Sequence, residues 1–192
     1  MDVKEILYAE IDKIGGKDNI RTQLTQDIST SKSIITMLLQ KCSASLNKDN
    51  PNEDEYVLFS ESLLHFLLTM AMMPAERKIV ANNIDVDILI PNVKNLKADA
   101  EKAIIIHFLK NKNESISDTM EKISRIQKNK KNIWVVSSKD IALDYNTFIV
   151  SSSSSLSAGN DYDGRFVHPF SEILIKIDEF LKSINYTGLK IL

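Results

Sequence analysis

The sequence predicts an α/β protein with a mixed (α+β) sheet: a helical N-terminal region, then an α-β-β-β-α-β core and a C-terminal helix. Three observations carry this expectation. Apolar residues recur at helical spacing up to Pro74 and alternate after it, in "ERKIVA" and "IDVDILI". Only 11 residues, "PNVKNLKADAE", join the second of these runs to a third, "KAIIIHFL", so an antiparallel pair is favoured over a helical crossover. A helix-patterned stretch then separates "KAIIIHFL" from "NIWVVSS", the order of a parallel crossover, right-handed by strong preference.

Each element has its own signal. Val3, Leu7, Ile11 and Ile14 share a helix face, which Gly15-Gly16 ends by supplying a left-handed cap. A second helical stretch covers much of Asn19 to Leu46 and breaks near "DISTSKS", where Asp27, Ser29, Thr30 and Ser31 offer caps for a new start. "NKDNPNEDE" (Asn47 to Glu55) is a polar linker whose acids suit the first turn of a helix from about Tyr56 to Met73, ended by Pro74. Asn82-Asn83 tolerate the positive backbone angles of a tight hairpin turn, and Pro91 closes the second strand.

Lys102 to Leu109 form the third strand. Ile116, Met120, Ile123 and either Ile126 or Gln127 line one side of the next helix, with Ser115 or Ser117 as its cap. Asn132 to Ser138 and "NTFIVSS" are the fourth and fifth strands, and Ser151 to Gly164 is a polar, low-complexity loop. Phe170, Ile173, Leu174, Ile177, Leu181 and Ile184 mark the amphipathic last helix. Residues 1–50 are read as a helical extension and 51–192 as the mixed-sheet core, one compact domain overall.

Composition excludes several classes. A hydrophobic fraction of 43% and a charged fraction of 26% are those of an ordinary globular protein, not a disordered one. Net charge is −2, so contact with nucleic acid needs a local basic patch. Cys42 is alone and the three histidines are scattered, which leaves neither a disulfide nor a zinc spacing. The N-terminus lacks the pattern of a signal peptide, and "LLHFLLTMAMM" is too short to span a bilayer. A reducing, cytoplasmic setting without a membrane partner is expected. No G-x-S-x-G elbow, G-x-G-x-x-G or P-loop is present, and the run Ser151 to Ser155 lacks a nucleophile's strand-to-helix turn.

The candidate site starts from Asp85 and Asp87. Strand alternation puts both on one face, about 6 to 7 Å apart, and Ile84, Val86, Ile88 and Ile90 on the other. Two acids so placed suit a metal, or the solvated face of a sheet. Glu61 and His65 share a helix face, either as metal ligands or as a surface pair. Lys122, Arg125, Lys128, Lys130 and Lys131 form a basic cluster that suits phosphate contact or the positive, solvated end of a helix.

Together, the element order, an acid on the first core helix, a "DILI" strand and an "AIII" strand resemble the restriction-endonuclease-like PD-(D/E)XK nuclease superfamily. The resemblance covers roughly Tyr56 to Ser138, with Thr147 to Ile184 as a peripheral continuation. In that family a helix glutamate, a strand aspartate and a following (D/E)-x-K gather Mg²⁺ and position a water against a phosphodiester. It implies Glu61 and Asp87 as metal ligands, with Asp85 on the same face, and Mg²⁺ as cofactor of an active member. At the third strand the motif fails: His107 stands at the acidic position and Leu109 at the lysine position, while Lys110 comes one residue late and alternates away from His107.

The expectation is therefore a nuclease-like domain lacking a complete catalytic site, used for nucleic-acid-associated binding or assembly rather than as an enzyme. One alternative is an active Mg²⁺-dependent nuclease built from Glu61, Asp85 and Asp87, with His107 in a supporting role. Another is an α/β interaction module whose N-terminal helices bind a protein partner or a second copy of the chain.

Overall fold

A computed structural model describes residues 3–46, 53–110, 115–141, 143–150 and 166–186. The expected loop Ser151 to Gly164 and most of the linker lie outside them. Four helices come first: α1 (Val3–Lys13), α2 (Gly16–Gln26), α3 (Ser31–Leu46) and α4 (Glu53–Met70). Gly15 separates the first two at φ 101°, and a Cβ there would come within 2.7 Å of Asn19 Nδ2, so only glycine makes this turn without a shift. The break expected at "DISTSKS" is a 3-10 turn at Ile28–Thr30, where the Asp27 side chain accepts from the Ser29 amide and leads into α3.

Six strands form one sheet in sequence order: β1 (Glu76–Ala81), β2 (Ile84–Ile90), β3 (Ile104–Phe108), β4 (Ile133–Ser137), β5 (Asn146–Ile149) and β6 (Val167–Pro169). β1, β2 and β3 run antiparallel, and β3 to β6 run parallel. The hairpin turn has Asn82 and Asn83 at φ 50° and 62°, as their side chains permit. A one-and-a-half-turn helix, α5 (Val93–Ala98), sits in the β2–β3 link and was not expected; Asn92 caps it by accepting from the Asn95 amide. α6 (Ile116–Ile126), capped by Ser115, makes the crossover between β3 and β4. Short β6 was also not expected, and α7 (Ile173–Ser183) closes the described chain. No helix among the described residues is long and apolar enough to cross a membrane.

Each face of the sheet is covered by its own core. On one face Leu7, Ile11, Leu38, Leu63 and Leu67 of α1, α3 and α4, with Ile177 of α7, pack on Ile88, Ile106 and Val136. The N-terminal helices thus share a core with the sheet. On the other face Met120 and Ile123 of α6 pack on Leu89, Ile105 and Val135. Burying each such side chain contributes about 1.5–3 kcal/mol relative to leaving it exposed.

β3 alternates between these cores without interruption, with Ile105 on the α6 side and Ile104, Ile106 and Phe108 on the helical side. β2 does not. Ile84 and Val86 pack on the α6 side, whereas Ile88 and Ile90 belong to the helical side, so the single aliphatic face expected from alternation is split in two. The switch falls at Asp87 and, across the hairpin, at Lys78, which takes a left-handed φ of 49°. Pairing is kept on both sides of it, Arg77↔Ile88 and Ile79↔Val86, so neither strand gains a residue. Each strand simply rolls over, and Arg77 turns toward α4 while Ile79 stays on the α6 side.

Candidate functional site

β2 and β3 pair from Ile90↔Ile104 to Ile88↔Ile106, and the pairing stops there. In the fork beyond, the Asp87 side chain fills the place of a ladder. Its Oδ2 accepts from the Phe108 amide at 2.9 Å and lies 3.0 Å from His107 Nδ1. Its Oδ1 accepts from Lys110 Nζ at 2.6 Å. Lys110 Nζ also donates to Glu61 Oε2 at 2.9 Å, and Glu61 Oε1 accepts from Arg77 Nη2 at 3.3 Å. A continuous chain of contacts thus joins β1, α4, β2 and the end of β3.

Each member arrives for a local reason. Glu61 lies on the sheet-facing side of α4 among Phe59, Leu63 and Leu64, and only 1% of it is exposed. A carboxylate so deep in a core persists because cations meet both of its oxygens. Arg77 reaches it through the roll at Lys78. Lys110 follows the end of β3, where the Leu109 amide still bonds the Val136 carbonyl at 3.0 Å and the Lys110 amide turns back onto the Phe108 carbonyl at 2.9 Å.

Strand alternation does place His107 on the α6 side and Lys110 on the helical side. On a regular strand these two side chains could not share a site. Asp87, standing in the fork, touches both. A lysine one residue later than the (D/E)-x-K spacing, Lys110, thus lies beside both Glu61 and Asp87. Its signal in sequence was that Glu61 and Lys110 both belong to the helical side. Arg77 had no sequence signal, because its orientation depends on the left-handed residue after it.

Burial opposes ionisation of Asp87, but the His107 ring, the Lys110 ammonium and the Phe108 amide outweigh it and hold its carboxyl well below the usual range. Burial likewise opposes charge on Lys110, and the hydrogen bonds and charges of Asp87 and then Glu61 reverse this, raising its pKa above that of ordinary lysine. The pair is thus ionised across neutral pH.

The residues present fit a divalent ion. Mg²⁺ takes oxygen ligands, commonly one or two carboxylates completed by waters and substrate phosphate. Here Asp87 Oδ1 and Glu61 Oε2 already converge on one cation, the Lys110 ammonium. No cluster of three or more His, Cys, Asp or Glu side chains suited to a metal occurs among the described residues.

Other expected site residues stand apart. Asp85 is exposed opposite Val80 near the hairpin turn and makes no ion pair among the described residues. His65 is exposed on α4; burial of part of its ring and the charge of Arg77 lower its pKa. Lys122, Arg125, Lys128, Lys130 and Lys131 are all exposed. Arg125 pairs with Glu121 at 2.9 Å, and Lys130 pairs with Asp144 at 2.8 Å. Because Ile105 pairs with Ile133 in parallel, Lys130 and Lys131 precede the amino ends of the strands, whereas Asp87, His107 and Lys110 gather at the carboxyl end of β3.

No protein-family model matches the chain, and no curated protein matches it. Solved structures do. The restriction endonuclease PspGI in a substrate DNA complex is similar at a TM-score of 0.61 and 16% identity, over 95% of this chain and 94% of that one. Metal-depleted Ecl18kI in complex with uncleaved, modified DNA is similar at a TM-score of 0.54 and 11% identity, over 100% of this chain and 82% of that one. At these identities the likeness speaks to fold, and it extends through the N-terminal helices that the sequence resemblance left out. The chain has a restriction-endonuclease-like fold.

Proposed function

We propose that this chain is a divalent-metal-dependent nuclease that cleaves phosphodiester bonds in DNA. The observation that carries the reading is the meeting of Asp87 and Glu61 on Lys110 at the carboxyl end of β3, where the ammonium donates to both carboxylates. The similar structures are DNA complexes, which supports DNA as the substrate.

Asp87 and Glu61 are the residues that would hold the ion. When bound, Mg²⁺ supplies charge neutralisation at the phosphate and a more acidic water. The Phe108 amide and His107 grip Asp87 Oδ2 and so fix the plane of the carboxylate, leaving Oδ1 turned toward Glu61 and Lys110. Arg77 holds the other oxygen of Glu61 and keeps Oε2 aimed into the site. Lys110, cationic at neutral pH, serves as a donor to the phosphoryl oxygens on which negative charge develops. It does not serve as the base.

A second reading, a nuclease-like domain that binds nucleic acid without cutting it, draws on His107 standing where the family pattern has an acid. Incubation with varied DNA and RNA in Mg²⁺ or Mn²⁺ separates the two. Cleavage is expected, and Asp87→Ala or Lys110→Ala is expected to slow it by about 10²-fold or more. Salt-sensitive DNA binding with no cutting of any substrate would favour the second reading.

A further inference from the structure

All four carboxylate oxygens of the site are engaged. Asp87 Oδ2 is held by the Phe108 amide and His107, and Glu61 Oε1 by Arg77. The remaining two, Asp87 Oδ1 and Glu61 Oε2, meet on the ammonium of Lys110 at 2.6 and 2.9 Å. Glu61 and Asp87 are the residues that would hold a divalent ion. Mg²⁺ sits about 2.0–2.1 Å from its ligands and repels a neighbouring ammonium strongly in a partly buried site, so both cannot occupy the space between the acids.

Lys110 is also the member best able to leave. It lies beyond the end of β3 on a flexible four-carbon stem, and 29% of its side chain is exposed, against 1% for Glu61. An arriving phosphate offers the ammonium a replacement anion, whereas without one its departure strands two half-neutralised acids.

We propose that Lys110 is a removable plug for the divalent-cation site, holding Glu61 and Asp87 together until nucleic acid draws the ammonium onto a phosphate. Cation and nucleic acid then favour each other's binding, because each is helped by the same movement of one side chain. The inference rests on the metal site of the nuclease reading but not on turnover.

The test is Mn²⁺ affinity of the full chain without nucleic acid, read by electron paramagnetic resonance of the free ion. Lys110→Gln is expected to bind Mn²⁺ at least ~10-fold tighter than wild type, since a competing cation is gone. Lys110→Arg, which keeps the charge, is expected to show no such gain, and adding Asp87→Asn to Lys110→Gln is expected to abolish it. Lys110→Met, of similar length, replaces Lys110→Gln should that variant not fold. Equal or weaker Mn²⁺ binding by the uncharged variants overturns the plug while leaving any measured cleavage in place. Binding by neither wild type nor variant overturns both the plug and the metal site beneath it.

Discussion

At the carboxyl end of β3, His107, Asp87, Lys110, Glu61 and Arg77 follow one another in a chain of contacts within a largely buried fork, whereas before the strands' amino ends Lys128, Lys130 and Lys131 stand in solvent. Both groups are made of ordinary charged residues. Their surroundings differ: two charges 4 Å apart interact by about 1 kcal/mol in water and about 4 kcal/mol at the effective dielectric near a protein surface. Their reach along the chain differs too. The fork joins residues 16, 23 and 49 positions apart, while Arg125 pairs four residues away and Lys130 fourteen. Charge that is close in sequence is easy to see and contributes little; charge that is close only in the fold is hard to see and positions the chemistry.

The largest test of that contrast is Glu61→Ala. It leaves Lys110 and Arg77 facing a cavity with one acid missing, and unfolding by urea is expected to show a loss of about 3–5 kcal/mol. A loss below about 1 kcal/mol would mean that the fork is solvated like the opposite end.

Acid dependence comes next. Asp87 has a folded pKa below its unfolded one, so its contribution is full above about pH 4 and drains away as pH falls further toward the folded value. Lys110 is shifted upward, so its contribution is full below about pH 10 and is lost only as pH rises through the folded value. Denaturation midpoints measured from pH 7 to pH 2 should therefore show the gap between wild type and Asp87→Asn closing below about pH 4. A gap that is constant with pH would remove the depressed carboxyl from the account.

The smallest effect is expected at the other end. Lys130→Ala and Arg125→Ala should leave the melting temperature unchanged at physiological salt, because their partners are as exposed as they are. DNA affinity sharpens the same comparison: a drop of about one in the salt slope per cation removed would make that end a phosphate-contact surface, and no drop would leave it as solvated charge.

The helices and central strands were legible in sequence because their signals are local: Gly15 and Asp27 as breaks, Asn82-Asn83 as a hairpin turn, and apolar period as face. The split of β2 was not, since alternation describes a strand of constant twist and Lys78 breaks that condition from across the hairpin. Short α5 and β6 have no such signal, because six and three residues hold too little periodicity to register. Asp87 stands out as an acid in an apolar run, and Glu61 as the acid on the first core helix. Lys110 is hidden because alternation describes faces whereas the site lies between strands, and the orientation of Arg77 depends on a backbone angle that no residue type announces.

The roll at Lys78 and Asp87 reaches beyond the site. With register kept on either side, the hairpin acts as a ribbon given half a turn: Ile84 and Val86 pack under α6, and beyond the roll Ile88 and Ile90 enter the helical core while Leu89 enters the one under α6. A ribbon seated in both cores couples them, so the two hydrophobic layers are expected to unfold as one cooperative unit. The half turn that brings a guanidinium to Glu61 thus also fastens one hydrophobic layer to the other.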